Sequence, residues 1–219
     1  MADIVIFGAG DIARLAYHYF TRDSDHRVAA FAVDRSYRTA ESFLGLPLID
    51  FEEIAARYPP DRYRVFVALS YTKMNHARAG KYNAAKALGY ELVSYVSSRC
   101  TWLTDHPAGD NCFILEDNTI QPFVRIGNDV TLWSGNHIGH DSVIEDHCFI
   151  ASHVVVSGHV HVRPYCFVGV NATLRNSITL AHETLVGAGS IIMKDTEPKS
   201  VYVAARTDVF PKTSDKVTL

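Results

Sequence analysis

From Ile114 onward an aliphatic residue falls on every sixth position: Ile114, Ile120, Ile126, Leu132, Ile138, Ile144, Ile150, Val156, Val162, Val168, Leu174, Leu180, Val186 and Ile192. These fourteen hits occur without an insertion. A period of six suits neither an amphipathic helix nor a simple alternating strand. It is the hexapeptide pattern of a parallel β-helix, in which three short strands complete one triangular coil of about eighteen residues. The position four after each aliphatic supports the prism. It holds Asn118, Val124, Val130, Asn136, Ser142, Cys148, Val154, Val160, Cys166, Ala172, Ile178, Thr184, Ser190 and Thr196, mostly small or β-branched side chains that fit a narrow interior. With Ala108–Phe113 as a further unit, the pattern predicts about five coils between residues 96 and 196.

The first 95 residues follow a different rule. Ile4–Phe7 predicts a buried strand, and Ile12–Phe20 after it a helix. Val28–Val33 predicts a second strand ending at Asp34, Phe51–Tyr58 a short helix closed by Pro59 and Pro60, and Arg64–Leu69 a third strand. Met74–Leu88 predicts a helix stopped by Gly89, and Glu91–Val96 a fourth strand leading into the coils. Strands alternating with helices imply a small parallel α/β domain. The expected organisation is therefore an α/β N-terminal domain over residues 1–95 and a β-helix with a C-terminal tail over 96–219.

Composition narrows the functional classes. The 219 residues carry 21 basic and 24 acidic side chains, a formal charge of -3, with 47% hydrophobic residues. That balance is no electrostatic footprint for nucleic acid or an anionic membrane. The opening apolar run is short and lacks a basic flank, so a soluble, cytoplasmic protein is expected. Four cysteines without a C-x-x-C spacing do not make a disulfide framework. Cys112, Cys148 and Cys166 fall in the inward column and are expected to fill space.

Gly8-Ala9-Gly10-Asp11-Ile12-Ala13 forms a glycine-rich strand-to-helix turn, with alanine at the third glycine position. Glycine there permits positive φ and close backbone approach, and the helix amides that follow receive a phosphate. Asp34, at the end of the second strand, is placed to hold a ribose or base. Ser70 and Tyr71 follow the third strand at the same sheet edge. A bare tight turn and NAD binding are the other readings of this glycine motif.

The stretch Trp133–Ser142 (WSGNHIGHDS) is richest in chemistry. His140 stands two residues after an inward aliphatic, hence at an outward corner, and Gly158 stands eighteen residues on, one rung along. Adjacent rungs are about 4.8 Å apart. An imidazole beside a bare peptide N–H supplies a general base and an oxyanion donor, the needs of acyl transfer. Asp141 is placed to fix the imidazole tautomer. His147, His159, His161 and His182 are expected as polar surface residues. His153, in a column with Gly135, Asn171 and Gly189, either lines an acyl-donor groove or packs at a subunit interface. Hexapeptide zinc enzymes use a histidine pair five residues apart; none of the eleven histidines here is so spaced, so no metal site is expected.

The opening IFGAGDIA, the stretch Ile114–Gly127 (ILEDNTIQPFVRIG) and Ser134–Asp141 (SGNHIGHD) together resemble bacterial nucleotide-sugar acetyltransferases of the left-handed β-helix class. The similarity is to sialic acid O-acetyltransferase-like proteins and to N-acetyltransferases of GDP-perosamine and UDP-bacillosamine precursors. It implies a left-handed prism with acetyl-CoA along the coils and no metal. It also implies a nucleotide sugar (dTDP-, GDP- or UDP-linked) on the N-terminal domain, and a homotrimer with active sites between subunits. By motif match it makes His140 the catalytic base, Asp141 its acidic partner and Gly158 the donor to the thioester oxygen. Val170, Gly187, Ala188 and Gly189 match the pantetheine groove. Gly8, Gly10, Asp11, Asp34, Ser70, Tyr71, Asn118 and His137 are the expected sugar-nucleotide residues.

Two departures stand out. Relatives commonly place histidine or glutamate where Asp141 stands. Their Val-Gly-x-Pro-Ala-Lys ending is Val203-Ala204-Ala205-Arg206-Thr207-Asp208 here, leaving Arg206 as the expected charge for coenzyme A. The resulting expectation is acetyl-CoA-dependent N-acetylation of a nucleotide-linked 4-amino-4,6-dideoxyhexose. O-acetylation of a sugar hydroxyl and a non-catalytic nucleotide-binding assembly module are the alternatives. Trp133, Phe149, Val155 and Phe167 are either trimer contacts or capping contacts within one chain.

Overall fold

A computed structural model describes residues 2–217. Strands β1 (Asp3–Phe7), β2 (Arg27–Val33), β3 (Ser42–Phe43), β4 (Leu46–Asp50) and β5 (Tyr63–Val67) form one sheet in the order β3-β4-β2-β1-β5. All pairs are parallel except the short β3–β4 hairpin. Helix α1 (Asp11–Arg22) buries Ala13, Ala16 and Phe20. The short α2 (Ile54–Arg57) buries Ile54, and α3 (His76–Ala87) buries Arg78, Ala79, Tyr82 and Ala85.

Two features of this domain differ from the pattern-based expectation. Leu46–Asp50 is a strand that Pro47 obscured; Pro47 sits opposite Ser42 in the antiparallel hairpin, while Leu48, Ile49 and Asp50 pair in parallel with β2. Glu91–Val96 is not a fourth sheet strand. Only Leu92 bridges to Val65, and Tyr95–Val96 already pairs with Phe113–Ile114 in the first rung of the coils.

The coils follow the sixfold pattern closely. Each rung pairs with a partner eighteen residues away, as in Thr131↔Phe149 and Ile138↔Val156, building sheets of seven, six and four two-residue strands. All fourteen aliphatics are buried, none above 6% exposure, and so is every member of the column four positions on. The thiols of Cys112, Cys148 and Cys166 fill space there; burial pushes Cys112 up to about 12 and Cys148 well above the usual thiol value. These are inert side chains.

From Asn111 to Gly189 the corners turn through residues of positive φ that recur at intervals of six. One corner column is Asn111, Asp129, His147, Tyr165 and Glu183; a second is Asp117, Gly135, His153, Asn171 and Gly189; a third is Phe123, Asp141, His159 and Ser177. The first corner docks the N-terminal domain. Arg78, 2% exposed, donates to Asp129 Oδ1 at 3.0 Å and to the carbonyls of Asp129, His147, Cys148 and Ser70. His147 Nδ1 lies 2.8 Å from Asp129 Oδ2, so this histidine, expected on the surface, is buried where α3 covers its corner. Phe113, Leu115 and Trp133 of the coils share one apolar cluster with Phe20, Phe31 and Phe66. Among the described residues, no helix is long and apolar enough to cross a membrane.

Candidate active site

The third corner holds His140 and Asp141. His140 precedes the corner residue Asp141, whose φ of 57° turns the chain and swings its carboxylate back to the ring. Asp141 Oδ2 lies 2.9 Å from His140 Nδ1. That contact favours the tautomer with the proton on Nδ1 and a lone pair on Nε2. Nε2 faces the next rung: a Cβ built on Gly158 would stand 2.7 Å from it. Only glycine lets the ring lie across this backbone. The Gly158 N–H makes no hydrogen bond among the described residues, so a donor and a base stand open side by side. Gln121, which sequence inspection passed over, accepts a hydrogen bond from the His140 backbone N–H through Oε1 at 2.9 Å and steadies the turn.

The expected sugar-nucleotide residues divide. Gly8, Gly10, Asp34 and Ser70 line a cleft of about 540 Å3 at the C-terminal edge of the parallel sheet, with Phe7, Val33, Tyr37, Thr72 and Lys81. Gly8 has φ +127°, and a Cβ there would meet Ala68 O at 2.8 Å. Gly10 has open space where its Cβ would be, directly ahead of α1. Uncapped amides at that helix start face the cleft with room for an anion. Lys81 pairs with Asp34 and lies over the Phe7 and Phe51 rings, a cation the sequence pattern gave no reason to place here.

The other expected positions stand outside the cleft lining. Asp11 is outside the cleft lining; its carboxylate is exposed and paired with Arg14 at 3.2 Å, as suits the first turn of a helix. Asn118 is fully buried in the inward column, donating to Leu115 O and Trp133 O and accepting from the Asn136 N–H, so it holds coils together and offers a ligand nothing. Tyr71 leaves the cleft for an aromatic groove on the seven-stranded sheet, its ring 5.1 Å from Phe149 and 4.7 Å from Phe167. Phe149 and Phe167 also stack on each other within the chain, with centroids 5.7 Å apart. His137 stands half-buried on the six-stranded sheet, between Thr119 and Val155.

The same groove, about 430 Å3, includes Val170 and Ala188 beside the second corner, next to Gly187 and Gly189. His153 lies across Gly135 at this corner, where a Cβ would stand 2.6 Å from its Nδ1. Arg206 is exposed on the tail that follows the last rung. In one chain, therefore, the His140 corner and the Val170–Ala188 groove flank opposite edges of the six-stranded sheet.

Comparison with known proteins bears on the fold. The family described as bacterial transferase hexapeptide (six repeats) matches residues 123–158, the segment that runs through His140 and ends at Gly158. A histidine-to-asparagine mutant of perosamine N-acetyltransferase from Caulobacter crescentus, in complex with CoA and GDP-perosamine, superposes with a TM-score of 0.81 at 22% identity, covering 92% of this chain and 93% of that one. The chain shares the fold of this solved structure. Its two parts are an α/β domain with a small parallel sheet and a left-handed parallel β-helix of hexapeptide repeats. The acetyltransferase domain of PglB from Neisseria gonorrhoeae, in complex with acetyl coenzyme A, gives a TM-score of 0.78 at 18% identity over 91% of this chain and 94% of that one. Among curated sequences, an acyl-[acyl-carrier-protein]–UDP-N-acetylglucosamine O-acyltransferase of Pseudomonas paraeruginosa is 33% identical over 70 residues, 32% of this chain. The chain spans about a quarter of that relative's length (27%).

Proposed function

We propose that this protein transfers the acetyl group of acetyl-CoA to the amine of a nucleotide-linked 4-amino-4,6-dideoxyhexose. The observation that carries the reading is the His140–Gly158 pair, a base with its Nε2 exposed beside an unengaged peptide N–H. The neutral amine attacks the thioester carbonyl, and His140 Nε2 takes the proton that the nitrogen sheds. The Gly158 N–H donates to the oxygen as it gains charge, and Asp141 stabilises the imidazolium. Collapse of the tetrahedral species expels the coenzyme A thiolate, which recovers the proton from His140. No acyl-enzyme is needed, because an oriented amine is already a competent nucleophile.

The substrate class rests on the cleft. An uncapped helix start with open space at Gly10 suits a diphosphate, and Asp34 and Lys81 offer polar partners at the end of β2. The relatives with bound GDP-perosamine and CoA supply the analogy. The coenzyme groove and the catalytic corner sit at different corners of one prism, so we assign the complete site to the junction of two chains in a homotrimer. Residues 1–95 would then serve the sugar nucleotide and 96–219 the coenzyme.

O-acetylation is the competing chemistry, favoured by the O-acyltransferase relative. Matched amino and hydroxy sugars, each carried on UDP, GDP and dTDP, are incubated with acetyl-CoA while free thiol is measured. The amino sugar is expected to release thiol at least about tenfold faster, since a hydroxyl depends more on base assistance. Faster release with the hydroxy sugar would assign O-acetylation instead.

A further inference from the structure

The catalytic corner has a third member with no part in the reaction as described. Asp141 and His159 occupy the same corner column one coil apart, with φ of 57° and 58°. His159 Nε2 lies 3.9 Å from Asp141 Oδ2, the oxygen that His140 Nδ1 meets at 2.9 Å. The two imidazoles meet edge to face with centroids 5.0 Å apart. One donor atom from each of the three residues lies within 4.8 Å of the others, the one such group among the described residues. All three side chains are open to solvent, at 53%, 41% and 57% exposure.

Two imidazole nitrogens and a carboxylate oxygen are a zinc donor set, with room for water in the fourth position. Donors around a tetrahedral zinc stand about 3.3 Å apart, given bonds near 2.0–2.1 Å. The observed 2.9 and 3.9 Å lie on either side of that separation, and all three donors fall within 4.8 Å of one another. We propose that His140, Asp141 and His159 bind a divalent ion of the zinc type, and that the ion switches the enzyme off.

The inhibitory step rests on the acetyltransferase reading and follows from proton bookkeeping. An ion on His140 Nδ1 takes the place of the proton shared with Asp141. The neutral ring then carries its single proton on Nε2, the nitrogen facing Gly158. That nitrogen no longer has a lone pair for the amine's proton. No net proton leaves the ring; the tautomer is reversed, and the base is lost.

Zinc chloride is titrated calorimetrically into the full-length, chelator-treated protein and into His159→Asn, which keeps a residue tolerant of positive φ at this exposed corner. Thiol release is followed in parallel. Wild type is expected to bind one ion per chain, losing turnover in step with occupancy and recovering it with chelator. His159→Asn is expected to bind at least about tenfold more weakly, having lost one of three ligands, and to keep its zinc-free turnover. Equal zinc affinity in the two proteins would overturn the site. Zinc binding through His159 with undiminished turnover would overturn the inhibitory step alone. If neither protein shows turnover but binding still depends on His159, the acetyltransferase reading fails and the metal site stands.

Discussion

A His140→Asn variant is expected to transfer acetyl groups at least about 100-fold more slowly than the native enzyme, the usual scale for losing a positioned general base. The side chain is half exposed at a corner, so its replacement leaves the coil core untouched. Asparagine also retains an amide that can meet Asp141. What disappears is the lone pair that Nε2 presents beside Gly158. Binding of coenzyme A should change little, because the pantetheine groove is assigned to Val170, Gly187, Ala188 and Gly189. The loss should therefore appear in kcat rather than in KM for acetyl-CoA. Steady-state thiol release measures both, and near-normal kcat would remove His140 from the mechanism.

The second large effect concerns the joint between the two halves. Arg78→Met is expected to cost about 3–5 kcal/mol of stability, because it strands the buried Asp129 carboxylate without its guanidinium. His147 and Asn111 still reach Asp129, at 2.8 and 2.7 Å, so the lower end of that range is expected. The loop after β5 should loosen as well, since Arg78 also holds Ser70 O and Asn75 Oδ1. That loop carries Lys73, Met74 and Asn75 at positive φ and supplies Ser70 and Thr72 to the cleft at the sheet edge. Adding Asp129→Asn removes the stranded charge and should recover part of the stability. Urea unfolding reads both variants. A change below about 1 kcal/mol for Arg78→Met would show that the joint does not depend on this pair.

The coils were legible because their physics is local and periodic. An inward aliphatic every sixth residue fixes the strand spacing, and a pitch of eighteen then places Gly158 beside His140 before any coordinates are known. The same rule explains the misreading of Asn118. It stands in the inward column, and the interior of a prism accepts asparagine when carbonyls of the neighbouring turns take up its amide. His159 is exposed as expected, though nothing in the pattern put it against His140. It lies nineteen positions from His140, one coil and one residue, and only the direction of two corner side chains brings the rings together.

The joint was illegible for a different reason. Arg78 and Asp129 are 51 positions apart in elements of different period, and no local pattern on α3 distinguishes an arginine that will be buried. His147 was read as surface because its own hexapeptide repeat says nothing about the helix that covers it. The strand Leu46–Asp50 was hidden by a proline that the hairpin tolerates. Lys81 reaches Asp34 only because α3 packs beside the ends of β1 and β2.

The most direct test is a crystal structure of the protein with acetyl-CoA bound. The proposed mechanism places the thioester oxygen about 3 Å from the Gly158 nitrogen, with the carbonyl carbon on the side that His140 Nε2 faces. A coenzyme whose thioester oxygen points away from Gly158, or whose acetyl group lies out of reach of His140, would contradict it.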